Sequence, residues 1–177
     1  LRSKKNEFTS ISPDKLAEWI KKNPVGYEAL IDGNYIPYYD FDFKYDTEEE
    51  RKSAYLENLT SSWEAVQAIY NKPEHIIYSF DSCGFDPKGS VGHQWKNSFH
   101  FRIRGAGYYE NATDIPAVEN ADMAVYKRKN SRQLMRLPFC SKEGNARPLM
   151  RINPETQTKY KLDEISNLGE PITDYII

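Results

Sequence analysis

Hydrophobic residues spaced three and four positions apart predict a short helix near the start of the chain. Leu16, Trp19 and Ile20 would share one face of that helix. Ser12 is a favourable residue for a helix N-cap, and Pro24 would end the helix because proline disfavours helical backbone before it.

A second and longer helix is predicted behind Thr47. Glu50 lies three residues after Thr47, which is the spacing of a capping box. The helix would extend over residues 48–71, and Pro73 would stop it. Its apolar stripe consists of Tyr55, Leu59, Trp63, Val66 and Tyr70.

Residues 95–104 are the clearest strand, because apolar and polar side chains alternate along them. Other strands are predicted over 35–43, 76–81, 133–138 and 146–152, with a loop over 82–92 and a short helix over 114–121. Helices and strands do not alternate regularly, which favours an α+β fold. The two faces of the clearest strand are Trp95, Asn97, Phe99, Phe101 and Ile103 on one side, and Lys96, Ser98, His100, Arg102 and Arg104 on the other.

Length and composition narrow the class of protein. A chain of 177 residues fits a single domain without stabilising cross-links. No apolar run is long enough to span a membrane, so no membrane partner is expected. The two cysteines, Cys83 and Cys140, are too few for a Cys/His zinc site. No targeting segment is recognisable, and an intracellular location is the expectation.

The net charge of −2 hides a strong asymmetry along the chain. Residues 1–90 contain 11 Lys and Arg against 16 Asp and Glu, a net charge of −5. Residues 91–151 contain 11 against 5, a net charge of +6, and residues 152–177 contain 2 against 5, a net charge of −3. A basic block between acidic blocks is a reason to look for an anionic ligand, although an ordinary solvated face has the same composition.

Asp40 and Asp42 are the first candidates for chemistry. In a strand, residues two apart project from the same face. A divalent cation such as magnesium, which prefers carboxylate oxygens, would offset the cost of placing both acids in an aromatic strand. A polar strand face that points to water would show the same spacing.

The basic face of residues 95–104 is the second candidate. Lys96, His100, Arg102 and Arg104 stand on alternate residues with Ser98, and no acid is among them. A phosphate chain would neutralise these charges, although a half-exposed strand often has a polar outer face.

These motifs resemble those of the archaeo-eukaryotic primase superfamily, and most closely its primase-polymerase branch with relatives in large DNA viruses and mobile elements. Asp40-Phe-Asp42 is similar to the first motif and Lys96-x-Ser98-x-His100 to the second. Asp122-Met-Ala-Val-Tyr126 is similar to the third, acidic motif. The segment from Met135 to Leu149, with Arg136, Ser141-Lys142-x-Gly144 and Arg147, resembles a further segment of that branch.

The resemblance implies an RRM-like catalytic palm with a mixed or antiparallel sheet, beside a small N-terminal αβ module. Residues 1–90 would hold that module and the first motif, 91–152 the palm, and 153–177 an acidic tail. The implied activity is template-directed addition of NTPs or dNTPs during DNA replication. Two catalytic magnesium or manganese ions would be held by Asp40, Asp42 and Asp122. The nucleotide-binding residues would be Lys96, Ser98, His100, Arg136 and Lys142.

Implied partners are a single-stranded DNA template, a primer and a nucleoside triphosphate. The zinc-binding segment found in such proteins is missing from this chain, which suggests a core that works with a fused or associated zinc module and helicase. Two other functions remain open. One is a non-catalytic RRM-like nucleic-acid-binding module, which would not need the three acids. The other is a metal-dependent nuclease or replication initiator.

Overall fold

The computed structural model describes residues 8–30, 34–122 and 133–177, and it has an α+β architecture. Its α-helices are α1 (Leu16–Lys22), which follows a 3₁₀ turn at Pro13–Lys15, and α2 (Glu48–Ile69). Its strands are β1 (Tyr27–Leu30), β2 (Tyr38–Tyr45), β3 (Ile76–Asp81), β4 (Gly84–Phe85), β5 (Trp95–Arg104), β6 (Gln133–Arg136), β7 (Met150–Ile152) and β8 (Lys159–Tyr160).

The main sheet has six strands, with β5 near its centre. Its order is β2-β5-β3-β7-β8, and β4 also pairs with β5. All of these pairings are antiparallel. Strands β2 and β3 both run antiparallel to β5, so they are parallel to each other and α2 connects them as a split βαβ unit. Strands β1 and β6 form a separate antiparallel ribbon.

Helix α2 covers one face of the main sheet, and its predicted start is confirmed. The Thr47 hydroxyl accepts the Glu50 backbone N–H, and the Glu50 carboxylate accepts the Thr47 backbone N–H. The predicted apolar stripe packs on the apolar face of β5. The ring of Trp63 stacks on Phe101 with centroids 6.3 Å apart, and Leu59 is completely buried.

The opposite face of the main sheet is covered as well. A second apolar cluster joins α1, the chain after β6 and two C-terminal 3₁₀ segments, Leu162–Leu168 and Ile172–Tyr175, to Tyr78 and Phe80 of β3. Strand β5 is therefore buried on both faces over residues 97–103. Its polar side chains have to find partners inside the protein, because unpaired buried polar groups are costly.

Arg102 and Arg104 of β5 have such internal partners, contrary to the expectation that an anionic ligand would neutralise this whole face. The Arg102 guanidinium lies 2.9 Å from Glu28 Oε1 and donates to the Tyr175 carbonyl. Arg104 donates to the backbone carbonyls of Thr173, Asp174 and Ile176. The two arginines thus connect β5 to the β1–β6 ribbon and to the C-terminal segment.

Several elements differ from the sequence-based prediction. Strands β1 and β8 and the two-residue β4 are additional, and residues 114–121 are not helical, since only a 3₁₀ turn at Ala112–Asp114 forms there. Segment 153–177, weakly patterned in sequence, packs against β5 through backbone carbonyls that no side-chain pattern reveals. The division of the chain into module, palm and tail stays a prediction. Among the described residues, no helix has the length and apolar character needed to cross a membrane.

Arg102→Met should lower the free energy of unfolding by about 3–5 kcal/mol, because Glu28 would be left buried without its cation. Urea denaturation measures the change. Adding Glu28→Gln to the variant should recover part of the loss. Lys44→Met, a substitution at an exposed position of β2, is the control and should change the value by about 0.5 kcal/mol at most. Equal effects of Arg102→Met and Lys44→Met would contradict the role of the buried pair.

Candidate active site

The two acids of β2 lie directly opposite the serine and histidine of β5. The register pairs Asp40 with His100 and Asp42 with Ser98. The Asp40 carbonyl accepts the Asp122 backbone N–H at 2.7 Å, so it points away from β5. Both pairs are therefore of the non-hydrogen-bonded type, in which opposite side chains approach most closely. Residues 56 or more apart in sequence converge here because β2 and β5 are neighbours.

Side-chain contacts join these four residues and one arginine. The Ser98 hydroxyl donates to Asp42 Oδ1. His100 Nε2 lies 3.2 Å from Asp40 Oδ1 and 3.3 Å from the Arg136 guanidinium. An arginine can only donate, so His100 Nε2 accepts from Arg136 and the neutral ring carries its proton on Nδ1.

Burial shifts the pKa values of Asp40 and His100 in the direction of their neutral forms. Burial, with the nearby Asp42 charge, raises the pKa of Asp40 from 3.8 to about 7. Burial, with the positive charges of Arg136 and Lys142, lowers the pKa of His100 well below its usual range. His100 is therefore neutral at pH 7. Because its Nε2 has no proton to give, Asp40 Oδ1 is buried without a hydrogen-bond donor despite its closeness to the ring.

Arg136 is fixed by a second arginine. Its guanidinium donates to the Ser82 hydroxyl at 2.5 Å and to the Arg147 carbonyl at 2.6 Å, and it is 4% exposed. Burial lowers its pKa to about 10, which leaves it charged at pH 7. Its Nε is buried and has no hydrogen-bond partner. The Arg136 guanidinium is thus held in place by its neighbours, although one of its buried hydrogen-bond donors has no partner.

The two candidate lysines occupy different environments. Lys96 Nζ lies 2.6 Å from Asp86 Oδ2, and this side chain is 14% exposed. Lys142 is exposed, and within the described part of the chain no carboxylate lies at ion-pair distance from it. Partial desolvation and the nearby Arg136 lower the pKa of Lys142, whereas Asp40 and Asp42 act in the opposite direction.

Asp122 reaches the site through its backbone. It is exposed, and its N–H bond to the Asp40 carbonyl places it alongside the edge of β2. Residues 123–126, the rest of its motif, lie outside the described residues. Within the described ranges, no group of three or more His, Cys, Asp or Glu side chains is placed to hold a metal ion.

Asp40 and Asp42 nevertheless suit a hard divalent cation. Asp40 Oδ1 is a buried carboxyl oxygen without a hydrogen-bond donor, and Asp42 is exposed on the same face two residues away. Magnesium is commonly held by one or two carboxylates together with substrate phosphates. The pair could therefore hold one such ion, and Asp122, whose charge is near enough to help raise the pKa of Asp40, is the candidate third ligand of a site for two ions.

An open cavity of about 690 Å³ lies beside Lys142. Gly84, Pro87, Gly144 and Arg147 are among its lining residues. Its volume is in the range of small-molecule binding sites. Among the described residues that line it, Lys142 is close enough to Asp40 and Asp42 to interact with them electrostatically.

Sequence reasoning missed Ser82 and Asp86, and it gave Arg147 no role. Ser82 and Asp86 belong to a segment interpreted as a loop, and their contacts with Arg136, Arg147 and Lys96 join distant parts of the chain. Of these three residues, only Arg147 had a signal in the sequence, because it lies in the segment that resembles the primase-polymerases.

Comparison of the chain with protein-family models, with curated proteins and with solved structures found no match.

Asp40→Asn should stabilise the metal-free protein at pH 8, by about 1 kcal/mol or more. The pKa of Asp40 is about 7 in the folded state, and its ordinary value is 3.8. The folded state therefore keeps this carboxyl protonated between these two pH values. Stability contributed by Asp40 therefore falls as pH rises from about 4 to 7 and stays low above it. Thermal unfolding at several pH values with a chelator present measures this slope, which Asp40→Asn should flatten. An unchanged slope would contradict the assignment.

Proposed function

We propose that the chain is a template-directed nucleotidyltransferase, a DNA primase or primase-polymerase core that uses magnesium or manganese. One observation carries the proposal: the motif residues converge on one face of the sheet. Asp40 and Asp42 lie opposite His100 and Ser98, and Arg136 contacts His100. The resemblance was inferred from the order of these motifs along the chain, and their proximity in space supports it independently.

The sheet connectivity is compatible with an RRM-like palm. In the split βαβ unit, the acids lie on the first strand, β2, and Ser98 and His100 on the middle strand, β5. This is the arrangement in which an RRM-like sheet would bring the first and second motifs together. Strand β7 lies beside β3 and extends the sheet on the side away from the acids.

In this proposal Asp40 and Asp42, joined by Asp122, hold the catalytic metal ions. The chemistry that such ions would supply when bound is activation of the primer hydroxyl and stabilisation of the leaving pyrophosphate. Lys142 supplies positive charge for the triphosphate, and the Ser98 hydroxyl and the neutral His100 ring supply directed hydrogen bonds. Arg136 contacts the same ring nitrogen of His100 that lies beside Asp40, and it helps to hold the ring in place.

The proposed partners are a single-stranded DNA template, a primer and an NTP or dNTP. A zinc module and a helicase, on the same or another polypeptide, would supply primer initiation and strand separation. The proposal for this chain itself is polymerisation at a primer end.

Asp42→Ala should reduce primer extension by at least about 100-fold, because it removes an exposed proposed metal ligand without opening the core. The measurement is a gel assay of a primed template with nucleoside triphosphates and magnesium or manganese. Asp46→Ala removes an exposed acid just beyond the end of the same strand, and it should leave extension unchanged. Circular dichroism checks that both variants are folded.

The wild-type chain decides between the classes of function. If the wild-type chain binds template and nucleotide but incorporates no nucleotide with either magnesium or manganese, the result would favour a non-catalytic binding module and end the proposal. Strand cleavage in the same gel would instead favour a nuclease. An unprimed template separates priming from extension.

His100→Ala should weaken binding of the nucleoside triphosphate about tenfold and leave binding of the template within about twofold. The polar contacts of the ring among the described residues are with Asp40 and Arg136, at the face proposed to bind the triphosphate. Fluorescence titrations with a labelled nucleotide and a labelled template measure the two affinities. Equal losses of both would contradict this role.

A further inference from the structure

Asp86 is a buried carboxylate beside the site that has several polar partners. It is 7% exposed and lies just after β4. Its oxygens lie 2.6 Å from Lys96 Nζ, 2.9 Å from Asn145 Nδ2 and 3.0 Å from the Lys88 backbone nitrogen. The Arg147 guanidinium lies 3.6 Å away.

The pair of Asp86 and Lys96 is shielded from water, unlike the exposed ion pairs of the protein. Both side chains are at most 14% exposed, against 65% or more for Lys22 and Glu18. Burial would raise the pKa of Asp86, but the Lys96 ammonium and the Lys88 N–H hold it below its usual range. Breaking a partly buried pair leaves a costly unpaired charge, so Lys96 is not free to move to a ligand.

Asp86 also organises the arginines of the site. Arg147 Nε donates to Asn145 Oδ1 at 3.1 Å, and both residues contact Asp86. The Arg147 carbonyl in turn accepts from Arg136, which contacts His100. A continuous chain of contacts therefore runs from Asp86 to the proposed catalytic face.

Lys142 is the contrasting cation. Its side chain is exposed at the rim of the cavity, and it has no carboxylate at ion-pair distance among the described residues. Asp40 and Asp42 are close enough to influence it electrostatically. An anion bridging the proposed metal ligands and the cavity would meet Lys142 without first breaking an ion pair.

We propose that Asp86 is a positioning residue that neutralises Lys96 and fixes Arg147, so that Lys142 and not Lys96 receives the anionic phosphate chain of the substrate. This inference rests on the proposed function for the identity of the substrate. It changes the role of Lys96, which the resemblance places at the triphosphate.

Binding of inorganic tripolyphosphate to the full chain, measured by calorimetry at fixed magnesium and salt, tests the inference without catalysis. Lys142→Met should weaken binding about tenfold, the effect of losing one charge-assisted contact. Lys96→Met should change it less than twofold. Asp86→Asn should tighten binding at least threefold by releasing Lys96, and the double variant Asp86→Asn/Lys96→Met should lose that gain. Asp163→Asn, which removes an exposed acid elsewhere, controls for net charge and should have no effect.

Weaker binding in Lys96→Met than in Lys142→Met, or no binding of tripolyphosphate to the wild type, would overturn the inference. If thermal unfolding shows that Asp86→Asn is not folded, the comparison of Lys142→Met with Lys96→Met still tests the inference. Primer extension separates the two proposals. A wild type that binds tripolyphosphate through Lys142 but extends no primer refutes the function alone, and one that extends primers while depending on Lys96 for tripolyphosphate refutes the inference alone.

Discussion

The burial of β5 on both faces is the constraint on which the rest of the structure depends. A central strand with Asn97, Ser98, His100 and Arg102 in its buried stretch can exist only if other elements bring partners to it. Helix α2 supplies Asn58 for Asn97, and β1 supplies Glu28 for Arg102. The sheet, the helix, the ribbon and the C-terminal segment are thus held to one another through the polar residues of a single strand.

The proposed active site is one of the regions around β5 where this pairing is incomplete. Around Arg102 the partners are carboxylate and carbonyl oxygens. One of these oxygens, Glu28 Oε1, makes an ion pair with Arg102 but no hydrogen bond, and around His100 both Asp40 Oδ1 and Arg136 Nε are buried without hydrogen-bond partners. Buried polar groups are normally satisfied, and the exceptions at Asp40 and Arg136 lie in two side chains that both contact His100, where one ligand would reach both. This reasoning and the motif resemblance point to the same residues by separate routes.

Local signals predicted the local structure well. Thr47 and Glu50 marked the start of α2, and the strict alternation of residues 95–104 gave both ends of β5. The juxtaposition of Asp40 with His100 depends on β2 pairing with β5, which the spacing of the motifs does not specify. The C-terminal segment was interpreted as a weakly patterned tail because its contacts with Arg104 use backbone carbonyls, which have no signature in the side chains.

The charge asymmetry of the chain takes on a different meaning once these contacts are known. Arg102 and Lys96 of the basic block pair with Glu28 and Asp86 of the first acidic block, and Arg151 pairs with Glu170 of the last. These cations of the basic block are therefore matched inside the protein, and a count along the chain cannot identify the charges left for a ligand. The informative feature is a cation that, after folding, remains exposed and has no carboxylate at ion-pair distance. Among the described residues, Lys142 meets that condition beside the proposed metal ligands. An anionic substrate is therefore inferred from Lys142 and not from the net charge of the chain.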